Sequence, residues 1–125
     1  MKAEELMIGD WVNVAEFGII DQIMTFTPDT AITGHGYTCG EYEYDRLAPI
    51  PLTPDILKKN GFVYKDLPFE NFYEGYGLCI HGGNFADGSS IWYITCGTNV
   101  CMNVNHVHEL QHALRLCGIT HTIEI

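Results

Sequence analysis

Short apolar runs separated by glycine, proline and aspartate dominate the first fifty residues of the chain. One run, Trp11 to Val14, follows a Gly-Asp turn, and Phe17 to Met24 is a second run rich in β-branched residues. Ala31 to Cys39 is predicted to be a third strand, broken by Gly34 and Gly36. Glu41 to Leu47 alternates charged and aromatic side chains as a half-exposed strand does. Short strands with such turns predict a small SH3-like β-barrel over residues 1–50.

A proline-rich connector and a short helix are predicted over residues 51–61. Thr53 is typical of a helix N-cap and Pro54 of the first helical position. Gly61 can adopt the left-handed conformation that ends a helix. The chain then enters a second β region.

Residues 62–125 are predicted to form a small antiparallel sheet packed by one C-terminal helix. Tyr76 to His81 and Ser90 to Cys96 are predicted strands, joined by the turn-rich segment between them. Val100 to Val104 is a shorter third strand. Ile119 to Ile125 alternates again, as a last short strand or an extended tail does.

The C-terminal helix is predicted from about His106 to Cys117, with an Asn105 cap and a stop at Gly118. At about 100° per residue its apolar side chains share one stripe. The stripe consists of Val107, Leu110, Leu114 and Cys117. The residues predicted to be largely buried in the whole chain are Trp11, Ile20, Leu57, Ile80, Ile94, Leu110 and Leu114.

Composition and charge exclude several classes of protein. With 125 residues, of which 46% are apolar, the chain can form a core and is not intrinsically disordered. Its formal net charge of −10 argues against a general nucleic-acid binder, because phosphate contacts need a basic face. It contains no apolar run of about 18 residues, so no membrane span is predicted.

The five cysteines are predicted to be reduced. Their number is odd and the N-terminal residues do not resemble a signal peptide. Disulfides are rare in the cytoplasm, so reduced thiols in a cytoplasmic protein are the simplest interpretation.

The segment from His108 to His112 matches the HExxH pattern of zinc peptidases. That spacing places two imidazoles one turn apart on a helix, and the glutamate, here Glu109, polarises a zinc-bound water. A third ligand is required, and after the helix only His121 and Glu124 could supply it. The predicted apolar stripe directs both helix histidines toward solvent or a partner, which argues against a closed metal site.

Acidic and aromatic residues supply a second kind of candidate site. The predicted interaction surface consists of Glu41, Tyr42, Glu43, Tyr44, Tyr73 and Tyr76. A paired-carboxylate site built from Asp10, Glu41, Glu43 and Asp45 is an alternative, although carboxylates on strand faces are commonly just solvated.

Three segments together resemble a known family. They are Met1 to Val12 (MKAEELMIGDWV), Pro49 to Leu57 (PIPLTPDIL) and Val107 to Gln111 (VHELQ), with a closing Glu-Ile. They resemble a family of small uncharacterised proteins encoded in gut-anaerobe genomes and their prophages. The resemblance implies no activity or cofactor, and the family often has Gln and Asn at positions 109 and 112. It therefore implies that the HExxH match is a local accident on a structural helix.

We expect a non-enzymatic protein-interaction module of a mobile genetic element, with an unidentified protein partner. No catalytic residue or cofactor is favoured, no nucleic-acid or membrane partner is expected, and a homo-oligomer is left open. One alternative is a minimal zinc-dependent hydrolase with Glu109 as the catalytic residue and His108 and His112 as metal ligands. A second alternative is an acidic DNA-mimic protein.

Overall fold

Two five-stranded antiparallel sheets form most of the structure, one in each of two units. The computed structural model describes residues 1–35, 38–84, 86–87, 90–96 and 99–125, and for residues 35, 38, 84, 96, 99 and 100 the backbone alone. The units span Met1–Ile50 and Pro51–Ile125. Two α-helices occur in the described residues, both in the second unit. The α+β class predicted from the sequence is confirmed.

The first unit is a meander in which the last strand returns to the first. Its strands are β1 (Trp11–Val14), β2 (Ile19–Phe26), β3 (Thr30–His35), β4 (Thr38–Glu43) and β5 (Leu47–Ala48). The order across the sheet is β4-β3-β2-β1-β5. Short 3-10 turns at Ala3–Glu5 and Tyr44–Arg46 precede β1 and β5.

The single strand predicted from Ala31 to Cys39 is wrong, because the chain reverses within it. Strands β3 and β4 pair as a hairpin through Gly34↔Cys39 and His35↔Thr38. The strand predicted up to Leu47 ends earlier, at Glu43, where the 3-10 turn begins. The break predicted at Gly34 falls near the end of β3, and the break predicted at Gly36 lies outside the described residues.

The core of the first unit follows the two-residue period of its strands. Its buried cluster consists of Leu6, Val12, Val14, Ile23, Ala31 and Leu47. The predicted burial of Ile20 is wrong, since this side chain is 44% exposed. The inward position of β2 next to it is taken by Asp21, whose Oδ2 accepts a hydrogen bond from Thr33 Oγ1 at 2.8 Å. A buried carboxylate is tolerated there because it is hydrogen-bonded.

The second unit is a plain antiparallel meander with two helices. Its elements are α1 (Pro54–Lys59), β6 (Val63–Asp66), β7 (Asn71–Gly75), β8 (Leu78–Asn84), β9 (Ser90–Cys96), β10 (Asn99–Asn103) and α2 (Val107–Leu116). The order across the sheet is β10-β9-β8-β7-β6. Strand β7 is absent from the sequence prediction, and the strand predicted to start at Tyr76 starts at Leu78. Tyr76 and Gly77, with φ of 55° and 79°, form the tight turn between β7 and β8.

Helix α1 has the signals that the sequence predicts for it. Thr53 Oγ1 accepts a hydrogen bond from the Ile56 backbone N–H at 3.3 Å, and Pro54 occupies the first turn. Gly61 follows the helix with φ of 89°, a left-handed conformation that favours glycine. Leu57 is fully buried, as predicted.

Helix α2 also lies where it was predicted, but its cap and its buried face differ. Its N-cap is His106, while the Asn105 Oδ1 accepts a hydrogen bond from the Trp92 backbone N–H at 2.7 Å. Cys117, predicted in the apolar stripe, is exposed. The buried side chains of the helix are Val107, His108, Leu110, Gln111, Ala113 and Leu114. The buried arc is therefore wider than the stripe and includes polar residues.

The prediction that all cysteines are reduced is wrong for Cys101, which is disulfide-bonded. Cys39, Cys79 and Cys117 are free thiols, and the side chain of Cys96 lies outside the described residues. Disulfides are uncommon in the cytoplasm of mesophiles, so the cysteines no longer support a cytoplasmic location.

Candidate functional site

A groove in the first unit brings together part of the predicted interaction surface. Its volume is about 460 Å³. The residues that line it, which we call the acidic groove, are Glu16, Phe17, Thr30, Glu41, Tyr42, Glu43 and Arg46. They come from the β1–β2 turn, the start of β3, the end of β4 and the 3-10 turn before β5. Strand pairing in the first sheet assembles the groove.

Two aromatic rings form the apolar part of the acidic groove. The rings of Phe17 and Tyr42 are tilted against each other with centroids 6.3 Å apart. Tyr42 is half-buried and packs against the core, and its hydroxyl lies over Gly40, where an added Cβ would be only 2.6 Å away. Phe17 is 58% exposed. The groove therefore offers a fixed ring and a more accessible one.

The charge in the acidic groove is predominantly negative. Glu41 Oε1 accepts a hydrogen bond from Thr30 Oγ1 at 2.7 Å, and Glu16 forms an ion pair with Arg46. Both side chains of that ion pair are 49% exposed, so it adds little stability. Three glutamates against one arginine leave a formal charge of −2 on the lining residues.

The negative charge of the chain is concentrated in the first unit as a whole. That unit has nine acidic and two basic residues, a formal charge of −7. The second unit has seven acidic and four basic residues, a formal charge of −3. A positively charged ligand is therefore attracted mainly to the first unit.

The three other tyrosines of the predicted surface have structural roles. The Tyr44 hydroxyl donates to the Thr27 carbonyl at 2.7 Å. Tyr73 is 8% exposed, and burial, followed by the charge of Asp55, raises its pKa above the ordinary value of 10.0. The Tyr76 hydroxyl donates to the Asn60 carbonyl at 2.6 Å. Only Glu41, Tyr42 and Glu43 of the predicted set line the acidic groove.

The four carboxylates of the alternative paired-carboxylate site occupy different environments. Asp10 is fully buried, and its Oδ2 accepts a hydrogen bond from the Met7 backbone N–H at 2.7 Å. Asp45 is exposed in the 3-10 turn. Neither is among the residues that line the acidic groove with Glu41 and Glu43.

The HExxH residues lie on α2, but their contacts differ from those that the zinc hypothesis requires. Glu109 Oε1 lies 2.5 Å from His106 Nδ1 at the start of the helix. His108 is 6% exposed, so the prediction that both helix histidines face outward is wrong for this one. Its ring centroid is 5.7 Å from that of His106 and 5.6 Å from that of His112.

The two residues considered as a third zinc ligand are near the end of α1. His121 Nε2 is 3.2 Å from Asn60 Oδ1, and the Glu124 backbone N–H donates to the same oxygen at 2.7 Å. Among the residues that the structure describes, no group of three or more His, Cys, Asp or Glu side chains is arranged to hold a metal ion.

An aromatic row on the second sheet was missed by the sequence reasoning. Phe72, His81 and Tyr93 stand on three neighbouring strands, with centroid distances of 5.3 Å and 5.5 Å between successive rings. The strands containing His81 and Tyr93 were predicted, but β7 was not, so Phe72 could not be placed beside them.

Comparisons with known proteins add no further constraint. No protein-family model, curated protein or solved structure matches the chain. In the described part of the chain, neither helix has the length and hydropathy needed to cross a bilayer.

Proposed function

We propose that the chain is a non-enzymatic protein-interaction module whose first unit binds a basic segment of a partner protein in the acidic groove. The observation that carries this proposal is the combination of a 58% exposed Phe17, the neighbouring Tyr42 ring and three glutamates around one groove. Aromatic rings supply contact area at small entropic cost, and the carboxylates select for lysine or arginine. No cofactor is required for binding of this kind.

The strand order supports an SH3-like identity for the first unit. A meander β4-β3-β2-β1-β5, with a 3-10 turn before the returning strand, is the arrangement expected of a small SH3-like barrel. SH3 domains bind extended segments in grooves lined by aromatic side chains. The acidic groove lies beside the 3-10 turn, where such a segment could contact Tyr42 and Phe17 together.

The resemblance to prophage-encoded proteins supports an origin in a mobile genetic element. On that basis the partner is a host or phage protein. A cytoplasmic site of action belongs to the same proposal, and the disulfide at Cys101 is the observation that weighs against it.

Peptide selection on the purified chain tests the acidic groove. We expect a random peptide library to yield sequences rich in Lys and Arg with apolar neighbours. Binding should fall about tenfold or more in Glu41→Gln/Glu43→Gln, because two charge-assisted contacts are lost. The matched control is Glu4→Gln/Asp29→Asn, which removes the same charge from exposed positions outside the groove and should bind normally. Equal loss in both variants would indicate long-range attraction without a specific site.

The DNA-mimic hypothesis is favoured by one observation, the charge of −7 on the first fifty residues. A mimic would bind the basic, DNA-contacting face of a nucleic-acid-binding protein. Competition between duplex DNA and the chain for a captured partner would support this function. DNA mimicry would also require many acidic residues at once. Glu41→Gln/Glu43→Gln and the control variant would therefore weaken binding to the same extent.

A further inference from the structure

The aromatic row on the second sheet is a rigid feature of its outer face. Tyr93 is the direct cross-strand partner of His81, and the two rings are nearly parallel, at 10°. Phe72 covers the other side of the His81 ring at 38°. His81 Nε2 also lies 3.0 Å from Thr95 Oγ1, which fixes the orientation of the imidazole. These contacts hold the three rings of the row in fixed orientations.

Next to the aromatic row, one position on the same face of the sheet has no side chain. Gly83 is paired with Ile91, and a Cβ added to Gly83 would meet no atom within 4 Å. The missing side chain leaves a groove of about 560 Å³, a size typical of ligand sites. The residues that line it, which we call the sheet groove, are Phe69, Glu70, Asn71, His81, Gly82, Gly83, Ile91 and Tyr93.

The rim of the sheet groove is apolar and unusually exposed. Phe69 is 101% exposed at the turn between β6 and β7, and Ile91 is 44% exposed. A smaller hollow of about 270 Å³, lined by Leu67, Pro68, Phe69 and Glu70, adjoins it. Phe69 and Glu70 line both spaces. An extended chain crossing the turn could thus place neighbouring side chains in each.

Outside the groove lining, this face has charges of both signs, since Lys65 is paired with Phe72 and Glu74 with Cys79. Glu70 is the one charged side chain among the residues lining the sheet groove. The nearby Cys79 is paired with Glu74, and burial, followed by the charges of Glu74 and Glu70, raises the pKa of its thiol above 9.0. A cation is therefore favoured over an anion in the groove.

We propose that the sheet groove binds an arginine side chain of an extended polypeptide, with an apolar neighbour of that arginine in the adjoining hollow. The planar guanidinium stacks on aromatic rings and pairs with a carboxylate through two parallel hydrogen bonds, which suits the exposed ring of Phe69 and its neighbour Glu70. Lysine is less suited because its ammonium is more strongly hydrated and has no planar face. The apolar hollow beside Glu70 favours a polypeptide over a free small cation.

This site is in the second unit, so it is independent of the proposed function of the first. A nucleic-acid strand would also stack on aromatic rings, but the described residues lining the groove include a glutamate and no lysine or arginine, which disfavours phosphate.

The test is a titration of the isotopically labelled full chain with a blocked pentapeptide, Ala-Leu-Arg-Leu-Ala, followed by amide NMR. We expect chemical-shift changes at residues 69–71, 82–83 and 91–93. The same peptide with citrulline in place of arginine is isosteric and uncharged, and it should bind about threefold to fivefold more weakly, as expected for a partly exposed ion pair.

Two variants locate the contact. Gly83→Val places a branched side chain in the open space above Gly83, where a Cβ meets no atom within 4 Å, and should weaken binding more than tenfold. Glu70→Gln should weaken the arginine peptide about as much as citrulline does, and the two changes together should add little, because they remove the same pair. Glu4→Gln, the same charge change at an exposed position outside both grooves, is the control and should leave this binding unchanged.

Several results would overturn the proposal. Equal affinity for the arginine and citrulline peptides would exclude a guanidinium contact. Unchanged binding in Gly83→Val would exclude the groove. Shifts confined to residues 16–46, lost in Glu41→Gln, would place the arginine in the acidic groove, which contradicts this inference while supporting the proposed function.

Discussion

Asn60 joins three segments of the second unit, and its replacement by alanine should destabilise that unit. The residue is 2% exposed. Its Nδ2 donates to the carbonyl oxygens of Ile56 and Glu124 at 2.8 Å and 2.7 Å, and its Oδ1 accepts from the Glu124 backbone N–H at 2.7 Å. These bonds hold the C-terminal segment against the end of α1. The Asn60 carbonyl also accepts the Tyr76 hydroxyl.

The expected loss follows from the hydrogen bonds that disappear. Four bonds, the fourth being the 3.2 Å contact of Asn60 Oδ1 with His121 Nε2, at about 0.5–1.5 kcal/mol each give about 2–6 kcal/mol. The Ile56 carbonyl keeps a second donor, the Asn60 backbone N–H at 3.1 Å. Glu124 is exposed, so water can replace part of what its backbone loses. We therefore expect Asn60→Ala to lower the free energy of unfolding by about 2–3 kcal/mol.

The tryptophans make the measurement specific to one unit. Trp11 lies in the first unit and Trp92 in the second, and both are buried. In a Trp11→Phe background, the fluorescence of Trp92 during urea unfolding reports on the second unit. Lys59→Met is the control, because it removes only an exposed contact of Lys59 with the Ile125 carbonyl. A loss below about 0.5 kcal/mol for Asn60→Ala, or an equal loss for the control, would refute the reasoning.

Three further predictions concern the second unit. Leu110→Ala should cost about 2–5 kcal/mol in urea unfolding, because Leu110 is fully buried, and a loss below about 0.5 kcal/mol would contradict its packing. Alkylation of Cys79, followed by mass spectrometry, should require a higher pH than for an ordinary thiol, because its raised pKa keeps it protonated. Glu74→Gln should shift that profile to lower pH, and an unchanged profile would exclude the charge effect. The purified, untagged chain should contain no stoichiometric zinc; one zinc per chain, lost in His108→Ala/His112→Ala, would make the hydrolase the better hypothesis.

Local signals account for the parts of the fold that were predicted correctly. Helix α1 was predicted because Thr53, Pro54 and Gly61 each act on backbone groups within one turn of themselves. Strand β9 was predicted over its full range for a similar reason, since its alternation is continuous from Ser90 to Cys96. Strand β7 was missed because Asn71 to Gly75 is short and mixes polar, aromatic and glycine residues without a clear period.

A local sequence pattern also does not show which polar side chains find a hydrogen-bond partner in the core, and this explains the error at Ile20. Ile20 and Asp21 are neighbours, and hydropathy alone assigns the isoleucine to the inside. In the structure Asp21 lies on the same strand face as the buried Ile23, and Thr33, on a neighbouring strand, supplies the hydrogen bond that makes a buried carboxylate tolerable. That partner is twelve residues away, so no local pattern reveals it.

The amino-acid sequence determined the strand-rich class of the chain, its short capped helix, its acidic character and three of the residues in the acidic groove, since each depends on composition or on neighbours along the chain. Tertiary structure alone decided which of these residues meet. Strand pairing brings Phe17 to Tyr42, buries Tyr73, and leaves the gap at Gly83 beside His81 and Tyr93. The physical reason is that a binding surface depends on the register of distant strands, and register is set by the packing of the whole sheet.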